Sequence, residues 1–422
     1  MMDDIKPQRS SAADTPDSIE PATENVAVMP QPTSFAPGHI IGVGHDNDQA
    51  SHGHSPKHSA PPKGKGPKAW LYKLKHLSRK QKIILAAIIA TVLLLAGGAV
   101  WWFVLRNKPA PPPPAPVAQE EPAPPAPPEP LVSRLTGMPI AAELKDTPTT
   151  AVMIENSPDA RPQAGLYDAG VVFEAIAEGG ITRFLAIFQE ARPAYIGPVR
   201  SARPYFLDFV VPFDAPLAHA GGSPQALAEI KSQGIKDLDH GANGSAYQRV
   251  SNRFAPHNLY TSRDQLFAAQ NSRGWNTSTF TGFPRKAEAP SATPNAKSID
   301  FAISGFFYNV HYDYDPATNS YIRYEGGKPH TDERAGKAMN PKVVIAPVMG
   351  HHYQGVYSVY GDTGTGKAYI FQDGIVTEGT WDKADRKTQI KFLDSTGAPL
   401  PLNPGQTWIT LAASPQAVTY KP

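Results

Sequence analysis

Residues 83–105, IILAAIIATVLLLAGGAVWWFVL, are 23 consecutive uncharged and mostly apolar positions. Continued as a helix they reach about 34 Å, enough to cross a bilayer with some tilt. Trp101 and Trp102 lie at one end, where interfacial aromatics belong. A soluble core needs no such run, so the sequence predicts a single transmembrane helix with the rest of the chain divided between two compartments. Lys63, Lys65, Lys68, Lys73, Lys75, Arg79, Lys80 and Lys82 precede it, whereas only Arg106 and Lys108 follow before a proline tract. The positive-inside bias then puts residues 1–82 in the cytoplasm and everything after 108 outside it. A cleaved signal peptide fits poorly, because the run begins far from Met1 and exceeds a signal core.

The formal net charge of +2 is therefore an average over unlike parts. The basic residues crowd before the span, where they pair with anionic lipid headgroups, and they give no warrant for nucleic acid as a partner. The chain has no cysteine. Disulfides, thiolate metal sites, cysteine nucleophiles and a lipid-modified cysteine are thereby excluded. Residues 1–62 are polar, rich in Pro, Ser, Ala, Asp and His, and lack any apolar period, so 1–82 reads as a disordered basic tail. His45, His52, His54 and His58 within it are either incidental or a weak metal-binding tract. Residues 106–130 read as a spacer: 109–130 hold 12 prolines in 22 positions. As a polyproline rod that stretch extends roughly 70 Å, lifting the folded part toward wall material.

After 130 the pattern changes twice. From 131 to 280, short apolar runs (TTAVMIEN, GVVFEAIA, TRFLAIFQ, APLAHAG) alternate with helix-like stretches (ARPYFLDFVV from about Ser201, QALAEIKSQ capped by Ser223-Pro224). That is an α/β domain. Residues 281–298 lose periodicity and read as a linker or long loop. From 299 to 422 the chain is strand-rich, with hairpin turns at Asp315–Asn319 and Asp373-Gly374. The expectation is a mainly antiparallel, β-rich second lobe, separate from the first or packed on it.

Gly361 to Lys367, in GDTGTGKAYIF, touches two motifs. Its glycine and lysine spacing matches a phosphate loop, but Ala368 stands where a Ser or Thr would hold Mg²⁺. Asp362-Thr363-Gly364 matches an aspartic-protease triplet, yet the chain has no second copy. The AYIFQ-DG-IVTEGTW pattern that follows favours a turn feeding a hairpin.

Chemistry concentrates in the first lobe. Glu174 and Glu178 lie toward the end of a strand, beside Gly179-Gly180 and Arg183, where α/β sheets place ligands and where solvent-facing charges also fall. Arg200 and Arg203 flank the expected helix start at Ser201, where free N–H groups already attract anions. An external anion, or an internal network with Glu155, Glu174 or Glu178, would complete that cluster. His219 at a strand end runs into the Gly221-Gly222 turn, which can present backbone N–H groups, and its imidazole suits acid–base work. Ser223, before Pro224, reads as a helix cap rather than a nucleophile. Arg253, His257 and Asn258 form a further polar segment. No metal set and no cofactor motif stands out.

These blocks carry a resemblance. AVMIENSPDARPQAGL, DAGVVFEAIAEGGITRFLAIFQ, IGPVRSARPYF, HAGGSPQAL, APHNLYTS, KPHTD, FQDGIVTEGTW and LNPGQTW, in order across about 135–415, resemble the DUF3048 family of YerB-like bacterial envelope lipoproteins. The resemblance implies two lobes at the outer face of the membrane. It also implies family-typical residues, among them Asn156, Arg161, Pro162, His330 and Asp332, and brings no catalytic assignment. This chain departs at the anchor, with a hydrophobic helix where many relatives carry a lipidated cysteine. Three functions remain open. The first is binding of an acidic glycan, peptidoglycan fragment or phosphate-bearing polymer through Arg183, Arg200, Arg203, Gly221 and Gly222, with His257 and Asn258 at the edge. The second is a wall-glycan hydrolase or transferase using Glu178, Glu174 and His219. The third is a scaffold for envelope proteins, with strand edges as docking sites.

Overall fold

The computed structural model describes residues 78–107 and 130–422. The N-terminal tail, with its histidine tract, and nearly all of the proline-rich spacer lie outside the described residues. Two units result, divided near residue 120. In the first, helix α1 (Arg79–Arg106) is long and apolar enough to cross a membrane, and none of its residues is buried. A soluble core helix would bury a face.

The second unit holds the strands and remaining helices. Its first half runs β1 (Thr150–Glu155), β2 (Val171–Glu178), β3 (Ile181–Phe188), α2 (Pro204–Val210), β4 (Leu217–His219), α3 (Pro224–Ser232), β5 (Asp237–Asp239), β6 (Gln248–Arg249), β7 (Leu259–Tyr260) and α4 (Arg263–Asn271). The second half is almost all strand. It opens with β8 (Ser298–Phe301), β9 (Val310–Asp315), β10 (Ser320–Glu325), β11 (Lys328–Pro329) and β12 (Val343–Pro347). There follow β13 (His351–Gln354), β14 (Tyr357–Tyr360), β15 (Gly364–Gln372), β16 (Ile375–Lys383), β17 (Lys391–Leu393), β18 (Thr407–Thr410) and β19 (Val418–Lys421). The α/β first half and the mainly antiparallel β-rich second half both match the sequence expectation.

The halves do not make separate sheets. One sheet runs β17-β16-β15-β12-β18-β2-β3-β1-β4-β5, and β18 lies parallel to both β12 and β2. A strand from the end of the chain thus completes the sheet begun by the first half. A smaller antiparallel sheet, β11-β10-β9-β8-β19, packs its Phe301, Tyr312 and Tyr321 into the same core. The connection at 281–298 is irregular but not a free tether: Phe283 is buried, and Arg285 reaches the carbonyls of Leu135 and Asn403.

Alternation along the central strands explains why they read as unbroken apolar runs. Ala151, Met153, Leu185 and Ile187 enter one core, while Val152, Ile154, Phe184 and Ala186 enter the other. Both faces of the sheet are covered, so both sets of side chains are apolar. At the turn of the β2–β3 hairpin, Gly179 and Gly180 both have positive φ, which a two-residue turn of this kind demands. The same geometry recurs at Asp373 and Gly374 between β15 and β16. The stretch from Gly361 to Thr363 leads into β15, but Gly364 to Gly366, expected in the turn, already pair with β16 as strand.

Candidate functional site

The residues singled out by sequence fall into three separate groups. Helix α2 starts at Pro204 with Arg203 as its cap, three residues later than expected, so Ser201 heads no helix and Arg200 lies outside its first turn. Residues 199–202 instead run extended beside β1 and the 220–222 turn.

The first group is Glu178 with Arg183 and Arg203. Glu178 Oε1 accepts from Arg183 Nη2 at 3.0 Å, and Oε2 accepts from Arg203 Nε at 2.8 Å and from its Nη2. Arg183 also donates to the Ser201 carbonyl, and the Arg203 guanidinium lies over the Tyr357 ring. Burial alone would raise the Glu178 pKa, but Arg183 and Arg203 outweigh it and hold the carboxyl below its ordinary value. Such a group is a poor general acid, which needs a raised pKa. Both arginines are committed to this carboxylate instead of standing open for an external anion.

Glu174 belongs elsewhere. It accepts from Thr182 at 3.3 Å, from Thr410 at 3.1 Å and from Arg323 at 2.8 Å, fully buried. Thr182 and Arg183 are neighbours in β3 and point to opposite faces. Glu174 bonds the former and Glu178 the latter, so the two carboxylates lie on opposite faces of the sheet. A register shift between Ile176 and Glu178 accounts for this, since without it positions four apart in a strand would share a face. The structure does not bring Glu174 and Glu178 into one cleft.

His219 forms the second group. It is buried, with Nε2 at 3.0 Å from Asp237 Oδ1 and Nδ1 at 2.8 Å from the Gly221 carbonyl. Asp239 takes the Gly221 N–H. The backbone group expected to face a ligand is thus already satisfied. Gly221 supplies the positive φ of the turn, and Gly222 packs close to the Ala202 carbonyl. Ser223 caps α3 through Ala226 N–H, as its position before Pro224 predicts. Asn258 braces its own loop through the Val250 and Arg253 carbonyls.

The third group is the most open. Arg200 Nε lies 3.1 Å from Glu155 Oε1, an ion pair without hydrogen-bond geometry. His257 Nδ1 lies 3.0 Å from the same oxygen, and Ser157 donates to it. Next along the chain, Asn156 donates to Glu325 Oε1 at 2.5 Å and accepts from Arg161 Nε. Arg161 Nη2 in turn lies 3.3 Å from Glu325. Behind them Arg323 links Glu174, Glu325 and His330, and His330 meets Gln163.

Of this network Arg161, Glu325 and His330 line a 490 Å³ cleft, with Pro158, Phe307 and Lys328 among its other walls, whereas Arg200 and His257 do not reach it. Arg161 Nη1 lies at its Gly326 wall, and the exposed Lys328 adds a second cation. Buried Oε2 atoms of both Glu155 and Glu325 lack any hydrogen-bond partner. Burial raises the Glu325 pKa above the ordinary carboxylate value; Arg323 and Arg161 oppose this, and Glu174 adds to it. Burial, with Arg323 and Arg161 beside it, drives His330 well below its usual value, so it is neutral. Among the described residues no group of three or more His, Asp or Glu is placed to hold a metal ion.

The sequence left Arg200 between an external anion and an internal acid such as Glu155, and the structure pairs it with Glu155; His257, expected at a cleft edge, meets the same carboxylate. Sequence reasoning named Arg161, Asn156 and His330 only as family-typical, and it missed Arg323 and Glu325. In SYIRYE, Tyr321, Arg323 and Glu325 alternate with Ile322 and Tyr324, and the default sends charge outward. Here the charged face turns in.

Comparison with known proteins adds a family. A model described as the N-terminal domain of a protein of unknown function (DUF3048) matches residues 135–276, and its C-terminal counterpart matches 299–409. YerB of Bacillus subtilis (strain 168), named as a lipoprotein, is 35% identical over 291 residues, covering 67% of this chain and 86% of that protein. A crystal structure of YerB protein from Bacillus subtilis superposes with a TM-score of 0.63 at 31% identity, covering 69% of this chain and all of that one.

Proposed function

This chain belongs to the DUF3048 family, and from that premise we propose that it is a membrane-anchored, extracytoplasmic envelope protein that binds an acidic glycan or phosphate-bearing wall polymer in the Arg161 cleft. Helix α1 is the single-pass anchor, with the basic tail in the cytoplasm. The observation that carries the ligand class is the charge arrangement of the cleft. Arg161 and Lys328 offer cations at its wall, while the one carboxyl on its lining, Glu325, is paired with Arg161 and Arg323 and through burial takes up a proton more readily than an ordinary carboxylate. A protonated carboxyl donates a hydrogen bond and does not repel an anion. Phe307, largely exposed, adds an apolar face for a sugar ring. This replaces Arg183 and Arg203, whose guanidinium donors Glu178 already engages, as the ligand-holding cations.

The test uses the full chain in detergent with poly(glycerol phosphate) as probe. Combining Arg161→Gln with Lys328→Glu should weaken binding by about tenfold or more at low salt, since each rim charge carries a screened electrostatic share. Undiminished affinity would remove the cleft from the reading. A hydrolytic reading rests on one feature, the raised proton affinity of Glu325, which suits a general acid. Cleavage of the polymer by the natural chain and not by Glu325→Gln would move the function from binding to catalysis.

A further inference from the structure

A second cleft, of 440 Å³, opens between the start of α2, the start of α3 and the β13–β14 hairpin. Tyr205, Asp208, Ser223, Gln225, Gln354, Tyr357, Tyr360, Asp362 and Arg386 line it. Asp208 is held by Arg386 in a two-pronged bond, Nε to Oδ1 at 2.9 Å and Nη2 to Oδ2 at 3.0 Å. Arg386 also reaches Glu229 at 2.8 Å. Asp362, from the sequence triplet that suggested a protease, is 8% exposed, and its Oδ2 has no hydrogen-bond donor. The Asp208 carboxylate stands within its hydrogen-bonding reach, and the Lys383 ammonium also acts on it.

We infer that this cleft is a binding site for a primary ammonium group, with Asp362 Oδ2 as its acceptor. The charge count supports a cation. Around Asp362 stand the carboxylates of Asp208 and Glu229, against the cations Arg386 and Lys383. Arg386 is used up by Asp208 and Glu229. Lys383 is buried and donates to the Asp385 carbonyl, its charge acting on Asp208 and Asp362 together without a hydrogen bond to either. Asp385 spends its carboxylate on residues 387 and 388, and Tyr205 and Tyr360 are neutral phenols whose hydroxyls bond Ile176. When Asp362 ionises, one negative charge is left over, in a cleft a ligand can enter. An ammonium satisfies it with charge-assisted hydrogen bonds.

Without a ligand the same oxygen is best satisfied by a proton. Burial and the Asp208 charge push Asp362 up to about 7, so a proton and an ammonium compete for it. The carboxyl pair does not suit peptide cleavage, because Arg386 occupies both Asp208 oxygens and leaves none to activate a water.

The experiment titrates the full chain in detergent with Nα-acetyl-lysine amide, using the doubly acetylated, uncharged analogue as control. Affinity for the ammonium probe should rise roughly tenfold from pH 6 to pH 8, as Asp362 loses its proton. Calorimetry in buffers of different ionisation heat should find close to one proton released per probe bound at pH 6, and almost none at pH 8.5. Asp362→Asn should lose binding at least tenfold and abolish the pH dependence. Equal binding of the neutral analogue, or a pH-independent affinity in the natural chain, would overturn the inference without recourse to any variant.

Discussion

Glu178 is the carboxylate on which two arginines depend, and both are almost fully buried. Replacing it with Gln leaves Arg183 and Arg203 charged and short of a counterion. Breaking a buried pair costs about 3–5 kcal/mol, and the partial exposure of Glu178 argues for the lower end. The sign with pH follows from the lowered carboxyl pKa: the stabilisation is complete above the ordinary carboxylate range and is lost as pH falls through the lowered folded value. Denaturation of Glu178→Gln and the natural chain should therefore differ by about 3 kcal/mol at pH 7, and the difference should shrink as pH falls below the ordinary carboxylate range and vanish only below the lowered folded value. Equal stability at pH 7 would show the triad to be dispensable. Residue identity was legible in sequence here, because paired Glu and Arg beside glycine turns announced a cluster. Partner choice was not: a single bulge in β2 decided which arginines each glutamate could meet, and no local pattern in FEAIAEGG marks it.

At the scale of elements, β18 does the most. It separates β12 from β2 and hydrogen-bonds in parallel register to both, Thr407 to Val171 through Thr410 to Glu174 on one side. Its Trp408 packs edge-on against Phe184, and Arg323 from β10 neutralises Glu174. Take the second half away and β2 becomes an open, wholly apolar edge with an unpaired glutamate, the profile of an aggregating strand. Residues 131–297 expressed alone should therefore not give a monomer with cooperative unfolding, and co-expression with 298–422 should restore one. A monomeric first half with native-like circular dichroism and a sharp melt would refute this. Most individual strands, the α3 cap and both hairpin turns could be read from apolar runs, Ser-Pro and Asp-Gly signals. Their pairing could not, because β18 is some 230 residues from β2 in the chain, and periodicity carries no information on such distant partners. After 281–298 the chain first builds the smaller sheet and then adds strands to the sheet begun by the first half.

For the molecule as a whole, the orientation of α1 decides which ligands the two clefts can ever meet. The helix has 28 residues, about 42 Å at the usual rise, with no buried side chain and with Trp101 and Trp102 near its C-terminal end. Eight Lys and Arg between residues 63 and 82 stand against Arg106 and Lys108 on the other side, a bias that predicts a cytoplasmic N-terminal flank if the helix spans a membrane. Protease added to intact spheroplasts should then degrade the chain beyond residue 108 and spare an N-terminal fragment, whereas lysis should expose both. The reverse pattern would place the Arg161 and Asp362 clefts among cytoplasmic metabolites. Wall polymer would cease to be a candidate, while the ammonium site, which rests on local charge alone, would stand with a cytoplasmic amine as its ligand. The two clefts therefore fail separately: orientation tests the first, and proton release tests the second.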